Sequence, residues 1–430
     1  MRISTHYDCL LLHLVHGGWL DEWTDEPDGR PACFGGFGRA LVATSRSATL
    51  TKIYYAIGYT LIFVLAFIFK LHAADWFPER ITDDCNAACM AYLSVQRIAC
   101  GLVLYHSFFA VALVYTRYAV DPRRHLHNGI WPLKLLVLAG TLTGMFFIPD
   151  ARFYSWWIVA LVFSCVYIVI QCFIMVDFAH VVAEYAIEQY DMRRSGGWKA
   201  ALILTTFTSY AAQFAVTGVL YRFYATHGAS CGTNILYLTL NLVLCLALSG
   251  LSILPAVQRA NPRAGFLQAA VLTGYNTYLT ASAVVNSPSE CSAVALGGGS
   301  SVSMTSSTPA RWAVAITGLV ITILSIGYTA VSSGGIKTQS AADEDAGDTL
   351  SYDYTWMHVC FVLASFYMSC VVLNWDRLEM APAQAINPAA MTINKGWAAT
   401  WLKVGTSWFN SLLYAWSLLA PVLITSRQWY

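Results

Sequence analysis

Three ionisable side chains lie on one face of a long apolar segment in the middle of the chain. Asp177, His180 and Glu184 are spaced at i, i+3 and i+7, which places them on the same side of an α-helix. A charge in the hydrocarbon core of a membrane costs at least about 2.5–3.5 kcal/mol, so such groups normally face a partner or water. We therefore interpret these residues as a polar strip that lines a path for lipid headgroups or a small-solute site.

Two other interpretations of the polar strip stay open. In one, the strip is a buried structural network that joins two groups of helices, with Arg97 of an earlier segment as a partner. In the other, the three side chains simply lie at the cytosolic membrane interface. Asp177 is the deepest of the three, so the sequence favours it as the functional residue.

Arg97 and Lys403 are two further basic residues inside apolar segments, and both are candidates for the same polar groove. Arg97 lies near one end of its segment, and Lys403 is less than two turns into the last one. Long basic side chains at such positions extend along the helix until the charge reaches the interface, and we expect this of both residues.

The chain carries none of the common catalytic motifs. The Walker, G-x-S-x-G, H-E-x-x-H and paired C-x-x-C patterns are all absent. The spacing of Cys85 and Cys89 could supply half of a zinc site, but no matching Cys or His pair follows. The sequence therefore predicts no enzyme, no cofactor and no metal. A net charge of +1 gives no argument for nucleic-acid binding either.

The composition identifies the class of protein that must position these residues. Of 430 residues, 57% are apolar and only 11% are charged, whereas soluble domains have about 45–50% apolar and about 25% charged residues. The mean hydropathy of +0.53 also indicates a chain that is too apolar for a soluble protein. The sequence predicts an all-α polytopic membrane protein.

Ten apolar segments are long enough to cross a bilayer, which takes about 20 residues. The predicted spans are Leu50–Phe69, Ala91–Tyr115, Trp131–Ile148, Phe153–Glu188, Trp198–Tyr221, Asn234–Leu254, Phe266–Val285, Trp312–Ser332, Tyr354–Trp375 and Trp397–Ile424.

The fourth predicted span is unusually long. Phe153–Glu188 contains neither Gly nor Pro and would extend over about 54 Å as a helix. A helix of this length either tilts steeply or projects into the cytosol. A steep tilt through the bundle would divide the other helices into two subdomains and create a cleft between them.

The basic residues indicate the orientation of the spans. With the amino terminus in the cytosol, about twice as many Lys and Arg residues lie on the cytosolic side as on the other side. This predicts a cytosolic tail at 1–49, a transmembrane domain at 50–426 and a cytosolic tail at 427–430. It also places the Gly/Ser-rich loop 286–309 outside and the acidic loop 333–353 in the cytosol.

Four cysteines lie in or beside loops on the predicted external side, namely Cys85, Cys89, Cys231 and Cys291. This is the oxidising side in the secretory pathway, so two disulfides are expected there. Three pairings remain open.

Several ordered stretches of the chain resemble the serine incorporator (SERINC) family. They are Asp121-Pro122-Arg123, His127-Asn128-Gly129 with Trp131, Phe146-Phe147-Ile148-Pro149, Asp177-Phe178-Ala179-His180 with Glu184, Ser252-Ile253-Leu254-Pro255, Tyr278-Leu279-Thr280, Asn374-Trp375, Ser407-Trp408 and Ala420-Pro421.

Departures from this family include the amino-terminal tail and one position of the fourth predicted span. The amino-terminal tail has only Cys9 and Cys33, where family members are rich in cysteine. Ala183 stands where many members carry asparagine.

The resemblance implies a ten-helix fold with two subdomains around a long diagonal helix. It also implies lipid-related roles, either scrambling of lipids between leaflets or serine incorporation into phosphatidylserine and sphingolipids. The implied locations are the endoplasmic reticulum, Golgi, endosomes and plasma membrane.

We expect a passive phospholipid scramblase, because the polar strip could solvate a headgroup while the acyl chains stay in the bilayer. The alternatives are an accessory protein for lipid-synthesising enzymes and a structural subunit of a larger membrane assembly. Expected partners are phospholipid headgroups, with such enzymes, other membrane subunits or a second copy of the chain as further candidates.

Overall fold

The computed structural model describes most of the chain from residue 48 onward. The described residues are 48–77, 85–116, 118, 121–153, 155–193, 196–226, 231–261, 264–288, 291, 309–332, 353–380, 391–394 and 397–424. The predicted tails 1–49 and 427–430 and the loops 286–309 and 333–353 therefore lie largely or wholly outside the described residues.

Twelve α-helices and one short β-hairpin make up this part of the chain. They are α1 (Ala48–Trp76), α2 (Ala87–Ala112), α3 (Arg123–Asn128), α4 (Trp131–Met145), α5 (Trp156–Arg193), α6 (Gly196–Tyr224), α7 (Gly232–Ser252), α8 (Pro255–Ala260), α9 (Phe266–Val285), α10 (Pro309–Ser332), α11 (Tyr354–Val372), β1 (Arg377–Met380), β2 (Met391–Asn394) and α12 (Trp397–Leu423).

Each of the ten predicted spans coincides with one long helix, and the ends differ by a few residues. The largest shift is in α1, which continues to Trp76 instead of ending at Phe69. The two short helices α3 and α8 and the antiparallel hairpin, in which Arg377 pairs with Asn394, were not predicted. These elements contain only four to six residues each, too few to give a hydrophobic period.

Seven of the helices are both long and apolar enough to cross a membrane. Helix α4 is apolar but has only 15 residues. Helices α9 and α12 are outside this group and carry buried polar side chains such as Asn276 and Asn410, whose amides are hydrogen-bonded at 2.7 Å. The Asn276 amide nitrogen also donates to the Ser411 hydroxyl at 2.9 Å, so polar side chains link α9 to α12. The structure confirms an all-α multi-pass membrane protein, while the count of ten spans stays a prediction.

The long helices form two groups with separate apolar cores. In the first, α2 packs against α1, α4 and α11, and in the second, α9 packs against α6, α7 and α12. Helix α5 contacts both groups: Tyr167 lies in the core of the first, whereas Met175 and Ala179 lie in that of the second. Two helical subdomains around the fourth predicted span are therefore present.

Helix α5 is long enough to contact both groups of helices. Its 38 residues extend over about 57 Å at 1.5 Å per residue. With no Gly or Pro between Trp156 and Arg193, nothing in the sequence interrupts its hydrogen-bond ladder.

Helix α10 also lies between the groups. It packs against α1 and α11 on one side and α9 on the other. Gly318 of α10 faces the Tyr278 hydroxyl of α9 so closely that a Cβ atom would overlap it. The absence of a side chain at this position lets α10 approach α9.

The orientation predicts which loops are accessible from outside an intact cell. An epitope inserted next to Ser300 should be labelled on intact cells or on sealed vesicles whose luminal side faces out. A tag next to Asp345 should be labelled only after permeabilisation, because the Lys/Arg bias places that loop in the cytosol. The reverse pattern would contradict the predicted orientation.

The four loop cysteines form two disulfides, Cys85–Cys89 and Cys231–Cys291. The second closes a loop with a sequence separation of 60, which in the chain-entropy description stabilises the fold by about 4 kcal/mol. We expect mass spectrometry without reductant to find both linkages, and the C231S/C291S variant to melt at a lower temperature. Free alkylation of all four thiols in the unreduced protein would contradict this.

Candidate functional site

The predicted polar strip lies where α5 meets α10 and α12. The Tyr328 hydroxyl of α10 donates to the Asp177 carboxylate, and His180 Nε2 lies 3.3 Å from the Ser417 hydroxyl of α12. Asp177 is exposed and His180 is half-buried. The strip therefore links α5 to α10 and to α12 of the second group, while its Asp177 carboxylate stays accessible.

Glu184 lies two turns further along α5 than Asp177. It is half-buried, and both carboxylates lie within electrostatic range of His180. The three residues form one continuous polar face, as their spacing predicts. No contact of Arg97 with this face is present among the described residues, so the suggested Arg97 partnership is wrong.

A second polar contact lies next to the strip, deeper along the same junction. The Gln171 amide of α5 donates to the Ser325 hydroxyl of α10 at 3.3 Å. Ser325 in turn donates to the Ile321 carbonyl at 2.8 Å. Gln171 and Ser325 are both buried, so this level of the junction is closed to lipid and solvent.

A buried ion pair lies at the opposite end of α10, the predicted external end. Arg311 contacts the Asp376 carboxylate at 3.4 Å and the Asn286 side-chain oxygen at 3.4 Å. Arg311 and Asp376 are 6% and 4% exposed. Beside them, the Lys70 ammonium of α1 donates to the Val372 carbonyl at 2.5 Å. Charged side chains thus tie α10 to the ends of α9 and α11.

Lys403 does not extend to the interface, so that expectation is wrong. The side chain is 5% exposed, and its ammonium donates to the Ser282 carbonyl of α9 at 3.4 Å. It also lies 5.9 Å from the Trp375 ring centre. Close packing of α9 against α12 covers the lysine before it can reach the surface.

Arg97 is completely buried, which also contradicts the expected extension to the interface. Its guanidinium pairs with Asp150 and donates to the Met145 and Ile148 carbonyls at 3.2 and 3.1 Å. The Phe153 ring lies 5.1 Å from the guanidinium carbon. Arg97 therefore holds the end of α4 and the following turn against α2, away from the polar strip.

Sequence reasoning found the α5 residues of the site but missed their partners. Tyr328 and Ser325 are common residues in apolar helices, and nothing in the sequence marks them as partners of α5. Gln171 gave a usable signal, because it is a polar residue inside the apolar part of the fourth predicted span, two turns before Asp177.

Comparisons with known proteins agree with the fold. The chain matches the family described as "Serine incorporator (Serinc)" over residues 32–344 and 332–427. Serine incorporator 3 of Bos taurus is 28% identical over 81% of this chain and 83% of its own length. Serine incorporator 2 of Bos taurus is 29% identical over 80% of each chain. A membrane protein of Schizosaccharomyces pombe is 30% identical over 90% of this chain and 92% of its own length. The protein is therefore a multi-pass membrane protein of the serine incorporator family.

Proposed function

We propose that the protein moves phospholipids passively between the two leaflets along the junction of α5 and α10. The observation that carries this proposal is a series of polar contacts at successive levels of one helix. On α10, Arg311 and Tyr328 are about 26 Å apart along the axis, with Ser325 between them, and a hydrocarbon core is about 30 Å thick. Polar contacts thus lie near both ends of a stretch of α10 that is almost as long as the hydrocarbon core is thick.

The junction supports this role only if it opens. The Arg311–Asp376 pair and the Gln171–Ser325 contact are buried, so a headgroup can pass only when α10 moves away from α11 and α5. A headgroup entering from the predicted cytosolic side then meets Glu184 first and reaches the exposed Asp177 carboxylate deeper along α5. Lipid flows down its own gradient in this proposal, because the sequence contains no nucleotide-binding motif and no catalytic step is required.

The direct test is a leaflet-exchange assay on the purified protein in liposomes. The liposomes carry a phospholipid with a fluorescent group on its acyl chain, and dithionite is added outside. In empty liposomes dithionite destroys only the outer-leaflet signal, whereas with the protein nearly all of the signal should be lost. A signal that stays at the empty-liposome level would contradict scrambling and favour the accessory or scaffold role.

The proposal also includes the location of the protein in the cell and its partners. We expect the protein in endoplasmic reticulum, Golgi, endosomal or plasma membranes with both termini in the cytosol. Phospholipid headgroups are its expected partners. Lipid-synthesising enzymes, other membrane subunits or a second copy of the chain become the relevant partners if the purified protein does not exchange lipid alone.

A further inference from the structure

Four tyrosines from three helices lie together between the two helix groups, and we call them the central tyrosines. They are Tyr167 of α5, Tyr275 and Tyr278 of α9, and Tyr367 of α11. The rings of Tyr167 and Tyr367 have centres 5.0 Å apart, and those of Tyr275 and Tyr278 are stacked at 6.3 Å. Tyr275 lies within electrostatic range of the other three. The four phenol groups therefore form one cluster.

Two of the central tyrosines have a hydroxyl that is buried without a hydrogen bond. Tyr167 and Tyr275 are 1% and 3% exposed, and their hydroxyl oxygens have no hydrogen-bond partner among the described residues. Burying a hydroxyl in this way destabilises a fold, whereas a phenylalanine would occupy the same space without that cost. A pair of such donors indicates a ligand that supplies acceptor atoms.

The central tyrosines lie at about the middle of the membrane. Tyr275 is about 14 Å along α9 from its first residue, and Tyr367 is about 20 Å along α11 from its first residue. Both helices begin on the predicted cytosolic side, and the hydrocarbon core is about 30 Å thick. Tyr167 belongs to the core of the first group and Tyr275 to that of the second, so the cluster lies where the two groups meet.

Helix α10 borders this cluster on the side of the proposed lipid path. The Tyr278 hydroxyl faces Gly318 of α10. Along the α10 axis, Gly318 is about 10 Å from Arg311 and about 15 Å from Tyr328. The central tyrosines thus lie between the polar contacts near the two ends of the junction.

The cluster offers neutral hydrogen-bond donors. Within the part of the chain that the structure describes, Tyr275 and Tyr367 interact electrostatically with other tyrosines, Cys172 and Gln171. A phenol hydroxyl donates one hydrogen bond, and such a bond is strongest when the acceptor is charged, as the oxygens of a phosphodiester are. Neutral donors hold this group less tightly than an ion pair would, and passage requires that a bound group can also leave.

We infer that the central tyrosines form a midway binding site for the phosphate of a lipid headgroup that crosses the membrane. This inference rests on the proposed movement of phospholipids along the junction of α5 and α10. When α10 moves away, the hydroxyls of Tyr167 and Tyr275 donate to the phosphate oxygens while the acyl chains stay in the bilayer. The phosphate then exchanges these hydrogen bonds for those of the next polar contact, and no covalent bond forms or breaks.

Removing single hydroxyls from the full-length protein tests this site. Tyr167→Phe and Tyr275→Phe are reconstituted separately and compared with the wild type in the dithionite assay on a labelled phosphatidylcholine, with rates given per folded molecule. Each substitution should slow exchange about tenfold, because one hydrogen bond to a charged phosphate is lost midway along the path. Neither should lower the melting temperature, since the hydroxyl that is removed has no partner among the described residues.

Tyr237→Phe is the matched control. Tyr237 is 1% exposed, and its hydroxyl likewise lacks a hydrogen-bond partner within the described ranges. Its ring packs edge-on against Trp401 at 5.5 Å, in an apolar cluster that contains none of the central tyrosines. The substitution therefore removes the same group from an equally buried position outside the junction, and exchange and melting should both stay at the wild-type values.

The possible outcomes distinguish the midway site from the function on which it rests. Wild-type protein that exchanges no lipid would contradict the proposed function itself. Wild-type exchange that persists at full rate in folded Tyr167→Phe and Tyr275→Phe proteins would overturn the midway site and leave lipid movement standing. Lower melting temperatures with unchanged exchange would assign the two hydroxyls a structural role instead. An equal loss of exchange in Tyr237→Phe would also overturn the site, because the effect would then not depend on location.

Discussion

Asp177→Asn is expected to slow lipid exchange by about tenfold while the protein remains stably folded. The substitution removes the charge but keeps a side-chain oxygen that can still accept from Tyr328. A hydrogen bond to a charged group contributes about 1.5–3 kcal/mol, and about 1.4 kcal/mol corresponds to a tenfold change in rate. Because Asp177 is exposed, its replacement should change the free energy of unfolding by less than about 0.5 kcal/mol.

Two further variants distinguish a transport role of the polar strip from a structural role. Tyr328→Phe keeps the carboxylate charge and removes only the hydroxyl, so exchange should fall less than in Asp177→Asn. Glu184→Gln removes the other acidic charge of the strip, at a point nearer the cytosol, and should have a smaller effect. All variants are reconstituted at the same protein-to-lipid ratio, with melting measured in the same detergent.

The opposite result would assign Asp177 a structural role. If the strip only joins the two helix groups, Asp177→Asn should lower the free energy of unfolding by about 1–3 kcal/mol. Exchange per folded molecule would then stay near the wild-type value. A stable Asp177→Asn protein with wild-type exchange would exclude a transport role for this residue.

Asp150→Asn is expected to destabilise the protein by about 2–3 kcal/mol. It would leave the Arg97 guanidinium, whose side chain is 1% exposed, without its charged partner. Breaking a fully buried ion pair costs about 3–5 kcal/mol. The Asp150 side chain is 38% exposed, so solvent screening should reduce this cost. Thermal melting in detergent measures the effect.

A double substitution distinguishes the lost pairing from a general disturbance of the turn. Arg97→Met with Asp150→Asn removes both charges and should recover most of the stability lost in Asp150→Asn, because a buried pair replaced by apolar groups is often nearly neutral. Asp75→Asn, at an exposed carboxylate on α1 that lies 3.5 Å from His72, is the matched control and should melt like the wild type. A double variant less stable than Asp150→Asn would contradict this account of the pair.

The amino-acid sequence by itself determined the class of protein and the positions of its long helices. Membrane insertion depends on the length and apolarity of each segment, which are local properties, so all ten predicted spans coincide with helices. The polar face of α5 was also predictable, because Asp177, His180 and Glu184 repeat with the period of a helix. That the four loop cysteines form disulfides was also expected from the sequence, and two linkages are present.

Tertiary structure alone decided which side chains meet. Arg97 and Lys403 were expected to extend to the interface, but both are buried. The turn after α4 supplies a carboxylate to Arg97, and α9 supplies a backbone carbonyl to Lys403. The partner of Asp177 is 151 residues away in the chain. Such pairs depend on how whole helices pack against one another, and neither hydropathy nor residue spacing carries that information. For the same physical reason, the pairing of the four cysteines stayed open until α7 and α9 were seen side by side.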